Sequence, residues 1–123
     1  MIHVVAILTT KPGMRETVLE AFRANVPAVN AEDGCIEYGP AIDAEGLGGF
    51  QTKFGPDTFV AIEKWRDADA LKAHAAAPHM AAYAAKVKGN RSPRRSRDQR
   101  GRFGVTAMSA YGEGEKFKNS AAL

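Results

Sequence analysis

A chain of 123 residues, 45 % hydrophobic and 25 % charged, is long enough for one core and matches neither a disordered nor a fibrous composition. No apolar run approaches the roughly 20 residues that cross a bilayer; the opening MIHVVAILTTKPG lacks a basic leader, and the lone Cys35 rules out an internal disulfide or a cysteine-built zinc site. These features point to the cytoplasm. The net charge of +3 is uneven: residues 1–89 carry nine basic and eleven acidic side chains, residues 90–123 eight and three, so any polyanion would have to be met by the tail.

Residues Ile2 to Leu8 are mostly apolar and β-branched, which suits a buried first strand. Pro12 and Gly13 break the run, after which Met14, Val18, Phe22, Val26 and Val29 recur at three- or four-residue steps, the spacing of an amphipathic helix. Pro27 is expected to bend or interrupt its last turns, and Gly34 to cap it. Cys35 to Ile42 reads as a second strand with Ile36, Tyr38 and Ile42 on one face. The glycine-rich stretch DAEGLGGFQTKFGPD, residues 43–57, reads as a long connection with room for a hairpin at Gly48 and Gly49.

Thr58 to Lys64 is a third strand that sets Phe59, Ala61, Glu63 and Trp65 on one side. Asp67 is placed to cap a short helix carrying Leu71 and His74, and Pro78 to open a further helical segment with Met80, Tyr83 and Val87, closed at Gly89. The order implies an α+β domain with an antiparallel sheet and helices on one face. Residues 1–89 form that domain, and residues 90–123 a basic tail whose arginine-rich first half reads as disordered. A fourth strand is still owed, and Phe103 to Tyr111 has the alternation to supply it.

The runs VVAILTTKPGM, EDGCIEYGPAID and FVAIEKWRDADALKAHAAAPHMAAYAAKVKG closely resemble the antibiotic biosynthesis monooxygenase superfamily, and within it bacterial quinol monooxygenases, over residues 1–89. The resemblance implies a ferredoxin-like fold paired into a homodimer, the dimeric α+β barrel, and cofactor-free oxidation of a quinol or related phenol by dioxygen. Relatives pass from the last helix into a strand that supports the dimer; this chain continues into RSPRRSRDQRGR.

Such an enzyme must hold an aromatic ring, accept its proton and exclude water. His74 and His79 are the expected catalytic bases, since an imidazole accepts a proton near neutral pH. Tyr38, Phe59, Trp65, Met80 and Tyr83 are the expected substrate-binding wall. Each has a plainer reading: His74 as a helix-face histidine bonded to a carbonyl or to Glu63, His79 as solvated, Trp65 and Phe59 as core, Glu63 as an exposed strand carboxylate, and His3 as structural. No metal is expected, because the spacing of His74 and His79 departs from HExxH. Haem cleavage is disfavoured because haem-degrading relatives use an asparagine on the first strand, where the nearby positions here are Val5, Ala6, Ile7 and Leu8, and no glycine-rich phosphate loop follows a strand.

The partners expected are therefore a small quinol, dioxygen and a second copy of the chain, with neither membrane nor nucleic acid. Two rival readings are an isomerase of a small phosphorylated signalling sugar within the same superfamily, and a non-enzymatic module whose arginine tail contacts nucleic acid. The tail has no aromatic interleaving for base stacking.

Overall fold

A computed structural model describes residues 1–92 and the strands at 105–109 and 121–122. In chain order these are β1 (Ile2–Thr9), α1 (Arg15–Asn30), β2 (Cys35–Ala41), a 3₁₀ turn (Gly48–Phe50), β3 (Thr58–Trp65), α2 (Ala68–Ala75), α3 (Pro78–Val87), β4 (Val105–Ser109) and β5 (Ala121–Ala122). The strands lie in the order β2-β3-β1-β4-β5, and each neighbouring pair is antiparallel. The first four strands in that arrangement, with helices after β1 and β3, are the ferredoxin-like pattern expected.

The owed strand is β4, inside the segment 103–111 singled out for it. It pairs with β1 from Ile2↔Ser109 to Ala6↔Val105, covering an edge that would otherwise present unpaired backbone groups. Residues just past α3 are also tied to the first strand, through Ser92 N–H to the Thr9 carbonyl at 3.1 Å and a bridge between Thr10 and Arg91. The arginine-rich stretch read as disordered, residues 93–102, lies outside the described residues.

One face of the sheet carries the core. Alternation on β3 turns Phe59, Ala61, Glu63 and Trp65 inward, where they meet Val18, Leu19, Ala21, Phe22 and Val29 of α1, Ala70 of α2, and Tyr83 and Val87 of α3. Trp65, Phe59, Leu19, Val18, Val29 and Val87 are each less than 2 % exposed, and full burial of such a side chain contributes about 1.5–3 kcal/mol. On the other face Ile7 and Ile62 remain 40 % and 41 % exposed.

Several local expectations are corrected. Helix α1 runs through Pro27 to Asn30 without a break. Pro27 and Arg23 both lie on the solvent side, so the Arg23 carbonyl that loses its donor can be met by water. The helix ends at Ala31, and Gly34, three residues later with φ +83°, instead turns the chain into β2. Its lack of a side chain is required twice, because a Cβ there would stand 2.6 Å from that of Ala70.

Ile36 and Tyr38 do not share a face. A bulge between Cys35 and Glu37 places Cys35 opposite Trp65 and Tyr38 opposite Glu63, leaving Ile36 54 % exposed and Tyr38 buried. The Gly48–Gly49 stretch forms the 3₁₀ turn rather than a hairpin, and α3 ends at Val87 with Lys88, in helical conformation, as its cap in place of Gly89. Asp67 caps α2 as expected, accepting the Ala70 N–H at 2.8 Å.

Candidate active site

The site lies where two connections meet, the α1–β2 turn and the α2–α3 elbow. Helix α1 is followed by a tight turn that fixes Glu32, with the Glu32 N–H bonded to the Val29 carbonyl and the Cys35 N–H to the Glu32 carbonyl. Helix α2 ends one residue after His74. Pro78 then restarts the chain as α3, with His79 in its first turn. The elbow allows two histidines five positions apart to address one atom: Glu32 Oε2 lies 2.7 Å from His74 Nδ1 and 3.2 Å from His79 Nε2.

An ionised carboxylate only accepts hydrogen bonds. With Glu32 ionised, both facing nitrogens donate, which leaves His74 Nε2 and His79 Nδ1 as the lone pairs of the two neutral rings. The cluster is sheltered unevenly. Side-chain exposure is 6 % for His74, 14 % for Glu32 and 29 % for His79, so His79 is the member that solvent or a ligand reaches.

Aromatic rings pack behind His74. Its ring centroid is 4.6 Å from that of Trp65 and 5.5 Å from that of Tyr38. Phe22 stacks on Tyr38 at 5.0 Å and meets Phe59 and Tyr83 edge-on at 5.4 and 5.9 Å, so it joins the two outer rings to the site. Met80 packs against the core and accepts from Asn25 Nδ2 at 3.4 Å.

Glu63 is buried at 7 % exposure and accepts the Trp65 Nε1–H at 2.8 Å. Burial raises its pKa, opposed by that indole bond and by His74. Burial likewise raises the tyrosine hydroxyls, most strongly that of Tyr38, with the nearby Glu63 adding to the effect there. The Tyr83 hydroxyl is buried without a hydrogen-bond partner among the described residues.

The antibiotic biosynthesis monooxygenase family matches residues 1–86. The chain belongs to that family. It is 41 % identical over 92 residues to the probable quinol monooxygenase YgiN of Escherichia coli, a match that covers 73 % of this chain and 88 % of that one. Among solved structures, a Mycobacterium tuberculosis protein superposes with a TM-score of 0.67 at 24 % identity, covering 93 % of this chain and 98 % of that one. A Deinococcus radiodurans protein gives 0.67 at 19 % identity, covering 98 % and 100 %. Those two likenesses establish the fold alone.

Within this family member, the seven residues singled out from the sequence fall into one connected region, with His74, Trp65 and Tyr38 in direct ring contact and His79 joined through Glu32. Among the described residues, the ring contacts of Phe59 and Tyr83 run to Phe22, which stacks on Tyr38 beside His74. Sequence reasoning passed over Glu32 and Phe22. The helical period flagged Phe22 as core, and nothing in the spacing of Glu32 marked it as the partner of histidines more than forty residues on. Glu63, read as exposed or as the partner of a histidine, instead bonds the indole of Trp65. A cavity of about 230 Å³ lies elsewhere, lined by Arg15, Ile42, Asp43, Glu45, Lys53, Gly55 and Pro56. None of the seven residues lines it. Its loop is braced by Asp43, which accepts the N–H groups of Phe54 and Gly55 at 2.9 Å each, bonds that hold its carboxyl below the usual range.

Proposed function

We propose that the chain is a cofactor-independent quinol monooxygenase, with His79 as the base, Glu32 and His74 as its support, and the Trp65–Tyr38 region as the wall against which the substrate ring is placed. The observation that carries the reading is the single Glu32 oxygen shared by two imidazoles at the edge of an aromatic cluster. His79 Nδ1 accepts a quinol hydroxyl proton. The imidazolium so formed is disfavoured at a helix N-terminus, and Glu32 offsets that penalty with a charge-assisted bond. His74, pinned under Trp65, keeps the carboxylate aimed.

The quinolate is electron-rich enough to reduce dioxygen by one electron, and the radical pair recombines at a ring carbon. The diol becomes a dione, one ring C–H becomes C–OH, and the second oxygen leaves as water, so the substrate supplies all four electrons. The likeness to YgiN, itself named a probable quinol monooxygenase, supports the same reading. Met80, Phe59 and Tyr83 complete the proposed substrate wall.

The same proposal places the enzyme in the cytoplasm as a homodimer. Among the described residues, no helix is long and apolar enough to cross a membrane. The sheet face turned away from the helices exposes Ile7 and Ile62, an apolar surface that a second copy would cover. Light scattering at a dimer mass is the expected result.

The activity test is dioxygen uptake with menadiol in chelator-treated buffer. A catalysed rate that falls by about 10²-fold or more in His79→Asn, with the fold intact by circular dichroism, is expected for a general base. A rate unchanged by that substitution, or no catalysed uptake, refutes the assignment.

A further inference from the structure

The side chains that serve the proposed proton transfer also form a donor set of a different kind. Glu32, His74 and His79 each offer one ligand atom within 4.8 Å of the others, and Glu32 Oε2 lies 2.7 Å from His74 Nδ1 and 3.2 Å from His79 Nε2. Three donors at about 2.05 Å from a tetrahedral ion stand about 3.3 Å apart, so small ring movements suffice to admit one. Two imidazoles and one carboxylate match the ligand chemistry of a zinc-class divalent cation, with a fourth position left for water.

The local charge argues the same way. Glu32 is largely buried and, among the described residues, has no lysine or arginine partner. A divalent ion would compensate charge that two neutral imidazoles only solvate.

We propose that Glu32, His74 and His79 bind a zinc-class divalent cation, and that its binding switches off quinol turnover. The coupling follows from tautomers. A cation on His79 Nε2 requires the lone pair there, which moves the ring N–H to Nδ1, the atom that must otherwise accept the quinol proton. The cation also takes the Glu32 oxygen that would stabilise the imidazolium. The inhibitory part rests on the reading above; the binding part does not.

The test is calorimetric titration of the tag-free, chelator-treated full chain with zinc chloride, paired with visible spectra of the cobalt(II)-loaded protein. One zinc per chain with micromolar or tighter affinity is expected, together with cobalt d–d bands of a low-coordinate nitrogen and oxygen site. Removing a ligand should weaken binding beyond the roughly 10–100-fold cost of losing an outer partner, so both His79→Asn and Glu32→Gln should lose about 100-fold or more.

The cobalt spectrum of the unaltered protein keeps the question open to refutation if either variant folds poorly. No saturable binding up to about 1 mM, a contact worth only ~4 kcal/mol, overturns the site. Affinity equal to the parent's in both variants does so too, since the ion would then sit elsewhere. Stoichiometric binding that leaves menadiol oxidation untouched overturns the inhibition, whereas a metal-free chain with no oxidase activity counts against the quinol reading and leaves the zinc result standing.

Discussion

Replacing Gly34 by alanine tests whether the turn that carries Glu32 is set by close approach to α2. Two costs follow from the geometry. At φ +83° an L-residue is strained by about 1–2 kcal/mol relative to glycine. The new methyl would also stand 2.6 Å from the Ala70 Cβ, well inside van der Waals contact, and over-packing of this kind costs typically 1–3 kcal/mol. The neighbouring Arg66 guanidinium, 3.4 Å away, belongs to a flexible side chain and can give. The expected loss is therefore about 2–5 kcal/mol.

A double-mutant cycle separates the two parts. Ala70→Gly alone should cost about 1 kcal/mol for a glycine inside a helix, plus the lost methyl burial. In Gly34→Ala/Ala70→Gly the collision is gone, so the pair should recover about 1–3 kcal/mol relative to the sum of the singles. Urea unfolding followed by the fluorescence of Trp65, the chain's one tryptophan, gives all four values. A Gly34→Ala protein within about 0.5 kcal/mol of the parent, or a cycle that is additive, refutes the reasoning.

In Trp65→Phe the buried Glu63 loses its hydrogen-bond donor, which should cost about 2–4 kcal/mol from the orphaned carboxylate and the lost ring volume. Because Glu63 already has its pKa raised by burial, its folded state favours the proton. Stability is fullest below the unfolded carboxyl pKa and falls as pH rises through the higher folded value; removing the indole bond raises that value further, so melts near pH 5 and pH 8 should diverge more in the variant than in the parent. Glu32→Gln should lower kcat for menadiol by about 10²-fold with little change in fold, as measured by oxygen uptake and circular dichroism; an unchanged kcat removes Glu32 from the mechanism. Truncation after Ser92 removes β4 and exposes the edge of β1 over Ile2–Ala6, so a lower urea midpoint and growth of light scattering are expected; an equally stable, monodisperse truncate would show that β4 contributes nothing to the sheet.

What the sequence disclosed and what it hid follow from range. Periodicity is local, and it placed β1, α1, β3 and the Asp67 cap because each rests on neighbours within a few residues. The alternation of β3 was legible for the same reason, but its two faces differ little in polarity, so which of them turns inward was not, and Glu63, read as exposed, lies on the buried side bonded to Trp65. The bulge at Ile36 was not legible, since one inserted residue is decided by pairing with β3 rather than by composition. Nor was the unbroken passage through Pro27, which depends on that turn of α1 facing water. Family likeness, not spacing, brought the histidines forward. Their shared carboxylate comes from a different connection and required the fold.

That division bears on how the site is controlled. Glu32 is held by a turn whose shape depends on Gly34 meeting Ala70, and Ala70 lies one helical turn before His74 on the same helix. The carboxylate and the buried imidazole are thus fixed by one packing contact, while His79 depends on where Pro78 restarts the chain. A change that loosens the Gly34–Ala70 approach should move Glu32 and His74 together and spare the aromatic stack around Phe22. Loss of proton transfer with the ring contacts preserved would be its signature, so the Gly34→Ala protein should show depressed turnover even in conditions where it remains fully folded. A turnover number equal to the parent's, measured where Trp65 fluorescence reports a native fold, would separate the packing contact from the chemistry and leave the turn as scaffold alone.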